Sequence, residues 1–394
     1  MDIFPLDLNA FKVSEEYGFM LIKPLKVLPD YFSEWNTLAQ NMAELVQQKT
    51  LRGAVDKMAL FDHHRLQGYR ELRLAHLQLS IIASGYIWQE GDSGAAKVLP
   101  ACLAVPWHGV SMLLGIQPVL CHPSLVLANW TVDDQGVLQS LYNLPGGDHA
   151  EWFVTVTAQV ELAFAKGLKA LMQALTHAQN RNVDALVIDL QNIKHTVQEM
   201  KKAFSKMHEK LSAETFYDVL RPFLSGWGGD GSPLPDGVVY TGISDEPLQM
   251  TGGSAAQSST LQCIDAVLRV RHGPEIRSFL ENMRNYMPPA HKEFIETIEE
   301  HSQVKLAVAE SHDQQLTAAY NECLESVVDF RSYHVQIVTK YIVLMANRET
   351  RNKDYEALAT RGTGGSSILP FLKSLRSTTS ETRINDNKYS EHKS

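Results

Sequence analysis

Apolar positions recur at the helical period along most of the chain. The longest uninterrupted run is 313–346, which contains neither proline nor glycine. At about 100° per residue, Val327, Phe330, His334, Ile337, Val338 and Tyr341 share one face of it, apolar except for a single imidazole. Such an imidazole must hydrogen-bond through its ring nitrogens or give a lone pair to a metal. The same period predicts helices over 31–51, 68–90, 107–114, 151–178, 182–211, 275–285 and 290–301. In the second of these, Arg70, Arg73 and His76 fall on the polar side. Pro100 and Pro106 bracket a connector before the third. Ser212 is placed to cap a helix carrying Phe216, Leu220 and Arg221, and Ser254 to cap one over 255–270. Residues 120–131 are apolar with a proline and read as extended or as a short helix. The stretch 137–144 has strand character, enough for a small hairpin at most.

Breakers divide this pattern. Pro145-Gly146-Gly147-Asp148 is the clearest interior stop. It predicts a small helical domain over 1–145 and a larger one over 146–394. Residues 227–248 form a long glycine- and proline-rich connection, of a length that compact domains keep for function or leave disordered. A polar, glycine-rich stretch, 347–366, reads as a mobile loop. Residues 367–375 close the fold, and a Ser/Thr/Asn/Lys tail from about 378 reads as disordered.

Composition narrows the classes. The chain has 394 residues, 44% hydrophobic and 21% charged, which is ordinary for a globular protein with a large core. A net charge of −9, with no basic cluster interleaved with aromatics, argues against nucleic acid and anionic membranes as partners. The apolar stretch 77–88 is too short to span a bilayer. The start of the chain has no basic segment of a secretory signal. Cys102, Cys121, Cys263 and Cys323 are scattered without a C-x-x-C pair, so neither a disulfide framework nor a zinc site is expected, and a reducing cytoplasm fits.

Conventional catalytic words are absent: no G-x-S-x-G, H-E-x-x-H or P-loop. His63-His64 would point to opposite sides of a helix, so the pair is not expected to chelate and reads as surface. A chain with no side-chain toolkit suggests a cofactor that carries the chemistry, and a haem held by one histidine fits.

Five words in order carry a resemblance. They are Val219-Leu220-Arg221 with Leu224-Ser225-Gly226-Trp227; Gly252-Gly253-Ser254-Ala255-Ala256-Gln257-Ser258-Ser259; Tyr286-Met287-Pro288-Pro289-Ala290-His291; Arg331-Ser332-Tyr333-His334 through Tyr341; and Arg361-Gly362-Thr363-Gly364-Gly365. Together they resemble the indoleamine 2,3-dioxygenase family, and the likeness extends over nearly the whole chain. The resemblance implies an all-α, two-domain fold with haem b in the larger C-terminal domain. It implies cleavage of the indole 2,3-bond of L-tryptophan, or another indoleamine, with O2. An electron donor would keep the iron ferrous, and the protein would be a monomer.

The resemblance also assigns roles. His334 would be the proximal iron ligand. Gly253, Ser254 and Ala255 would lie against the macrocycle, and Asp265 and Arg331 would pair near a propionate. Arg221 would hold the substrate carboxylate, although its ordinary use would be a surface ion pair. Phe153, Phe216 and Tyr217 would wall the indole, with His122, Leu125 and Val126 lining the far pocket. Thr157 would point its hydroxyl towards O2, against the plain alternative of a back-bonded threonine. Ser254, Ala255 and Thr363 would reach the substrate, Thr363 from the loop. The combination of His122, Thr157 and Tyr217 resembles the low-affinity, ancestral branch. Gastropod myoglobins derived from this family are also similar, so a reversible O2 carrier is the second expectation.

Overall fold

Three long helices follow from the three longest apolar stripes. α5 runs Asp148–Gln179 and α6 runs Val183–Ser205; they are joined by residues 180–182, short enough for an αα-hairpin. Asn182 accepts the Ala185 amide and so caps α6. The two helices approach closely at Gly167, where a Cβ would collide with the Thr196 hydroxyl. α6 in turn packs on α13, Gln314–Val338, capped by Asp313 through the Leu316 amide at 2.7 Å. The coordinates are a computed structural model that describes residues 3–348, 363 and 368–384.

Before this layer come α1 (Ser33–Gln47), α2 (Leu51–Val55), α3 (Gly68–Trp88) and α4 (Ala101–Leu114). After α6 the chain makes α7 (Met207–Lys210) and α8 (Ala213–Thr215). It then continues through α9 (Ser259–Leu268), α10 (Pro274–Arg284), α11 (Pro289–His301) and α12 (Val304–Ser311) to α13. α14 (Leu344–Ala346) follows α13, and α15 (Ile368–Glu381) lies along it. Strands are minimal: β1 (Val98–Leu99) pairs in parallel with β4 (Val239–Tyr240), and β2 (Thr131–Val132) pairs antiparallel with β3 (Leu138–Gln139). The fold is all-α. Buried apolar side chains from Phe4 to Tyr341 form one continuous core, and Leu280, Val338, Leu372 and Leu375 form a smaller one where α10, α13 and α15 meet. No described helix is long and apolar enough to cross a membrane.

Several expectations change. α4 begins at Ala101 and carries Pro106 inside it, so that proline does not bound a connector; the helix forgoes one amide bond there. The β1–β4 pairing joins segments far apart in sequence and leaves no local signal. Arg73 and His76 are buried, because α3 is enclosed on nearly all sides beyond its first turn. Both find polar partners inside: Arg73 donates to the Pro123 carbonyl at 2.7 Å, and His76 meets the Ser124 hydroxyl at 2.7 Å and the Gln117 carbonyl at 3.0 Å. Ser254 caps only a 3-10 turn, Ala255–Gln257, and Ser258 restarts the chain as the cap of α9. His63 and His64 lie on a short 3-10 turn rather than a helix, and their rings fold together. The tail expected from 378 is still helical to Glu381, with Thr379 fully buried. The predicted mobile loop lies outside the described residues except for Asn347, Arg348 and Thr363.

Candidate functional site

The apolar face of α13 opens onto a cavity of about 280 Å³. Phe330, Arg331, His334, Ile337 and Val338 line it from α13, and Tyr341 from the turn that follows. α5 contributes Phe153, Thr157, Val160 and Glu161, and α6 contributes Met200 and Phe204. Phe216, Arg221 and Leu224 come from the segment after α8; Gly253, Ser254, Ala255 and Asp265 come from the 253–265 stretch. His122, Leu125 and Val126 complete one wall, and Thr363 and α15 another. The helical path widens at Pro123–Leu127, Phe216–Leu220 and Thr339–Val343. All three π-turns among the described residues border this cavity, a placement common at functional sites because the bulge re-aims side chains.

His334 meets Phe204 edge to face, ring centroids 5.6 Å apart. Among the described residues neither of its ring nitrogens has a hydrogen-bond partner. Burial first, and the nearby Arg331 second, pull its pKa down to about 4, so the ring that lines the cavity is neutral at pH 7. Phe153 and Phe216 sit 5.3 Å apart at 44°, an open aromatic corner. Arg221 is 1% exposed. Burial lowers its pKa to about 10, against the pull of the Tyr217 hydroxyl, and it remains a cation.

Thr157 lines the cavity, but its hydroxyl donates to the Phe153 carbonyl at 2.8 Å. It is therefore back-bonded, and its oxygen is open only as an acceptor. Tyr217 does not line the cavity. It stands behind Arg221, whose guanidinium carbon lies 5.3 Å from the phenol ring centroid. Neighbouring helical residues diverge by about 100°, so Phe216 facing inward turns Tyr217 away.

The 252–257 stretch is held by Gln257, which is fully buried. Its side-chain oxygen accepts the amides of Ser254 at 3.3 Å and His122 at 3.0 Å, and its nitrogen donates to the Gly252 carbonyl at 2.9 Å. A Cβ at Gly252 would strike the backbone of Gly226 and Leu224. Only glycine permits that contact, which brings the stretch against the Arg221-bearing segment. Thr363 donates to the Gly253 carbonyl.

Two buried carboxylates stand at the edge of the cavity. Asp265 Oδ2 receives Arg331 Nη2 at 2.6 Å and His272 Nε2 at 3.0 Å. Burial would raise its pKa, but these two partners hold it below the usual carboxylate range. Arg331 also reaches Thr379 on α15, while its Nε has no partner among the described residues. Glu161 accepts from His122 Nε2 at 3.0 Å, Ser258 Oγ at 2.7 Å and Thr260 Oγ1 at 2.5 Å. Burial opposes its ionisation, and those three donors, His122 foremost, hold its pKa below normal.

The family model described as indoleamine 2,3-dioxygenase matches residues 7–382. The chain belongs to the indoleamine 2,3-dioxygenase family. A myoglobin of Haliotis madaka is 43% identical, covering 96% of this chain and 99% of that protein. Indoleamine 2,3-dioxygenase 2 of Homo sapiens is 42% identical, with 96% of each covered. Indoleamine 2,3-dioxygenase 1 of Mus musculus is 36% identical over the same shares. Family membership and the cavity agree in extent, since the matched residues include every described residue that lines it.

Of the residues singled out from the sequence of this family member, all but Tyr217 converge on one cavity. Glu161 and Gln257 were missed. Glu161 did leave a trace, standing one turn beyond Thr157 on a face that is otherwise apolar. Gln257 left none, because an amide inside a family word reads as a polar surface residue until its three bonds are seen.

Proposed function

We propose that this chain binds haem b through His334 and cleaves the indole 2,3-bond of L-tryptophan with O2, giving N-formylkynurenine. The observation that carries the reading is one apolar cavity holding both a neutral, unpartnered imidazole and a buried guanidinium. The lining suits the group: Gly253, Ser254 and Ala255 offer a low surface for a flat macrocycle, and Arg331 Nε is a buried donor awaiting an acceptor such as a propionate. On this reading the segment after residue 146 is the haem-binding domain, with the N-terminal part supplying His122, Leu125 and Val126.

When bound, haem iron supplies the O2 chemistry that no side chain of the cavity offers. The chain does the rest by placement. Arg221 holds the carboxylate through a charge-assisted, bidentate bond. Phe153 and Phe216 fix the indole between them. Leu125, Val126 and the apolar face of α13 exclude water, and the positioned reactants gain from reduced freedom. Thr157 moves no proton, because its hydroxyl hydrogen is committed to the Phe153 carbonyl. Ser254 and Thr363 stand where they can meet the substrate ammonium.

Reversible O2 carriage is the second reading, favoured by the 43% identity to a protein named myoglobin. The ferrous protein, given tryptophan and O2, separates the two. Formylkynurenine absorbance growing with time supports the enzyme; stable, reversible oxygenation without product supports the carrier.

A further inference from the structure

His63 and His64 belong to a second arrangement, outside the cavity lining. Asp62 caps their turn, accepting the His64 amide on Oδ1 at 3.0 Å. The imidazole centroids are 4.2 Å apart, with planes inclined by 36°. One ligating atom from each of Asp62, His63 and His64 falls within 4.8 Å of the others. No other three His, Cys, Asp or Glu side chains among the described residues converge in this way.

The turn is held in that shape before any ligand arrives. The Asp62 amide donates to the Tyr31 hydroxyl at 3.0 Å. The Arg65 guanidinium stacks on the Tyr31 ring at 3.8 Å, and Phe61 packs edge-on to the same ring at 5.4 Å. His63 seats on α4 at Gly109, where any Cβ would run into its ring. That seat fixes one imidazole while His64 stays exposed beside it. Stacking on Tyr31 also engages the nearest cationic side chain of the turn.

We propose that Asp62, His63 and His64 form a binding site for a divalent transition-metal ion of the zinc class. Two imidazole nitrogens and one carboxylate oxygen suit a borderline cation, with water filling the remaining position. Calcium and magnesium, which ask for oxygen ligands throughout, do not fit the set. The Asp62–His64 amide bond orients the carboxylate, as an outer contact orients a ligand in established sites. A bound ion ties residues 62–64 together on the surface of α4 and stabilises the folded chain by mass action.

The test uses Zn²⁺ and the full-length, haem-loaded protein. Calorimetric titration is expected to show a site that His64→Ala weakens by about tenfold or more. The Zn²⁺-dependent rise in unfolding midpoint should vanish in that variant. In EDTA the variant should unfold at the parent's midpoint, because His64 is exposed. Gly109→Ala, which displaces His63, should also weaken binding. Equal Zn²⁺ affinity in parent and His64→Ala, or no Zn²⁺ binding by the parent, overturns the proposal.

Discussion

Arg331 and Asp265 are locked together at 2.6 Å, on the turn of α13 that precedes His334. Through Asp265 that turn is tied to α9, and through Thr379 to α15. The orientation of His334 therefore depends on a buried ion pair rather than on the helix alone. Replacing Arg331 with Leu leaves Asp265 buried with His272 as its remaining partner. We expect a loss of about 3–5 kcal/mol, as for other broken buried pairs. The double variant Asp265→Asn/Arg331→Leu should recover part of it. Urea unfolding of the three proteins checks this; equal stability of Arg331→Leu and parent would show that the pair carries nothing.

The carboxylates give a pH signature. Asp265 and Glu161 both have folded pKa values held below their ordinary ones. A depressed folded pKa contributes stability that is present above the unfolded value, about 4 for these side chains, and is lost as pH falls through the folded value. The protein should therefore lose stability steeply below about pH 4. Glu161→Gln should be less stable near neutrality by about 3 kcal/mol, since three donors lose a charged acceptor, and less sensitive to acid. Urea midpoints between neutrality and acid test it; a parallel acid loss in parent and variant would remove Glu161 from the explanation.

Much of this site was legible in advance because α13 keeps one period as far as Val338, where the π-turn carrying Tyr341 begins. The face carrying Phe330, His334, Ile337, Val338 and Tyr341 is the one that opens on the cavity. What failed was what periodicity does not encode. Arg73 and His76 look solvated by spacing alone, yet partners from residues 117–124 take them inside. Tyr217 was misplaced because a family word names residues without saying which way each faces. The β1–β4 pairing and the bonds of Gln257 are long-range, and a linear pattern holds no record of either.

Arg221→Leu tests the carboxylate contact proposed for this residue. Removing one partner of a buried, hydrogen-bonded charge pair costs about 2–5 kcal/mol, so tryptophan should bind the haem protein at least about thirtyfold more weakly. Unsubstituted indole, with no carboxylate, should be unaffected. Spectral titration with both compounds checks the contrast; an equal loss for the two would point to a damaged pocket instead.

Thr157→Val keeps the shape and removes the hydroxyl. Because that hydroxyl's proton already serves the Phe153 carbonyl, turnover should fall by less than about tenfold. A general acid or base contributes about a hundredfold or more. A loss of that size under steady-state assay would mean that the hydroxyl turns into the cavity during the reaction.

The most direct measurement is the absorbance spectrum of haem titrated into the parent and into His334→Ala, followed by gel filtration. If the imidazole of residue 334 is the axial ligand, the parent retains haem with a histidine-ligated spectrum. The variant loses it on the column, and added imidazole restores the parent's bands. Retention of haem by His334→Ala with an unaltered spectrum would contradict the assignment and everything built on it.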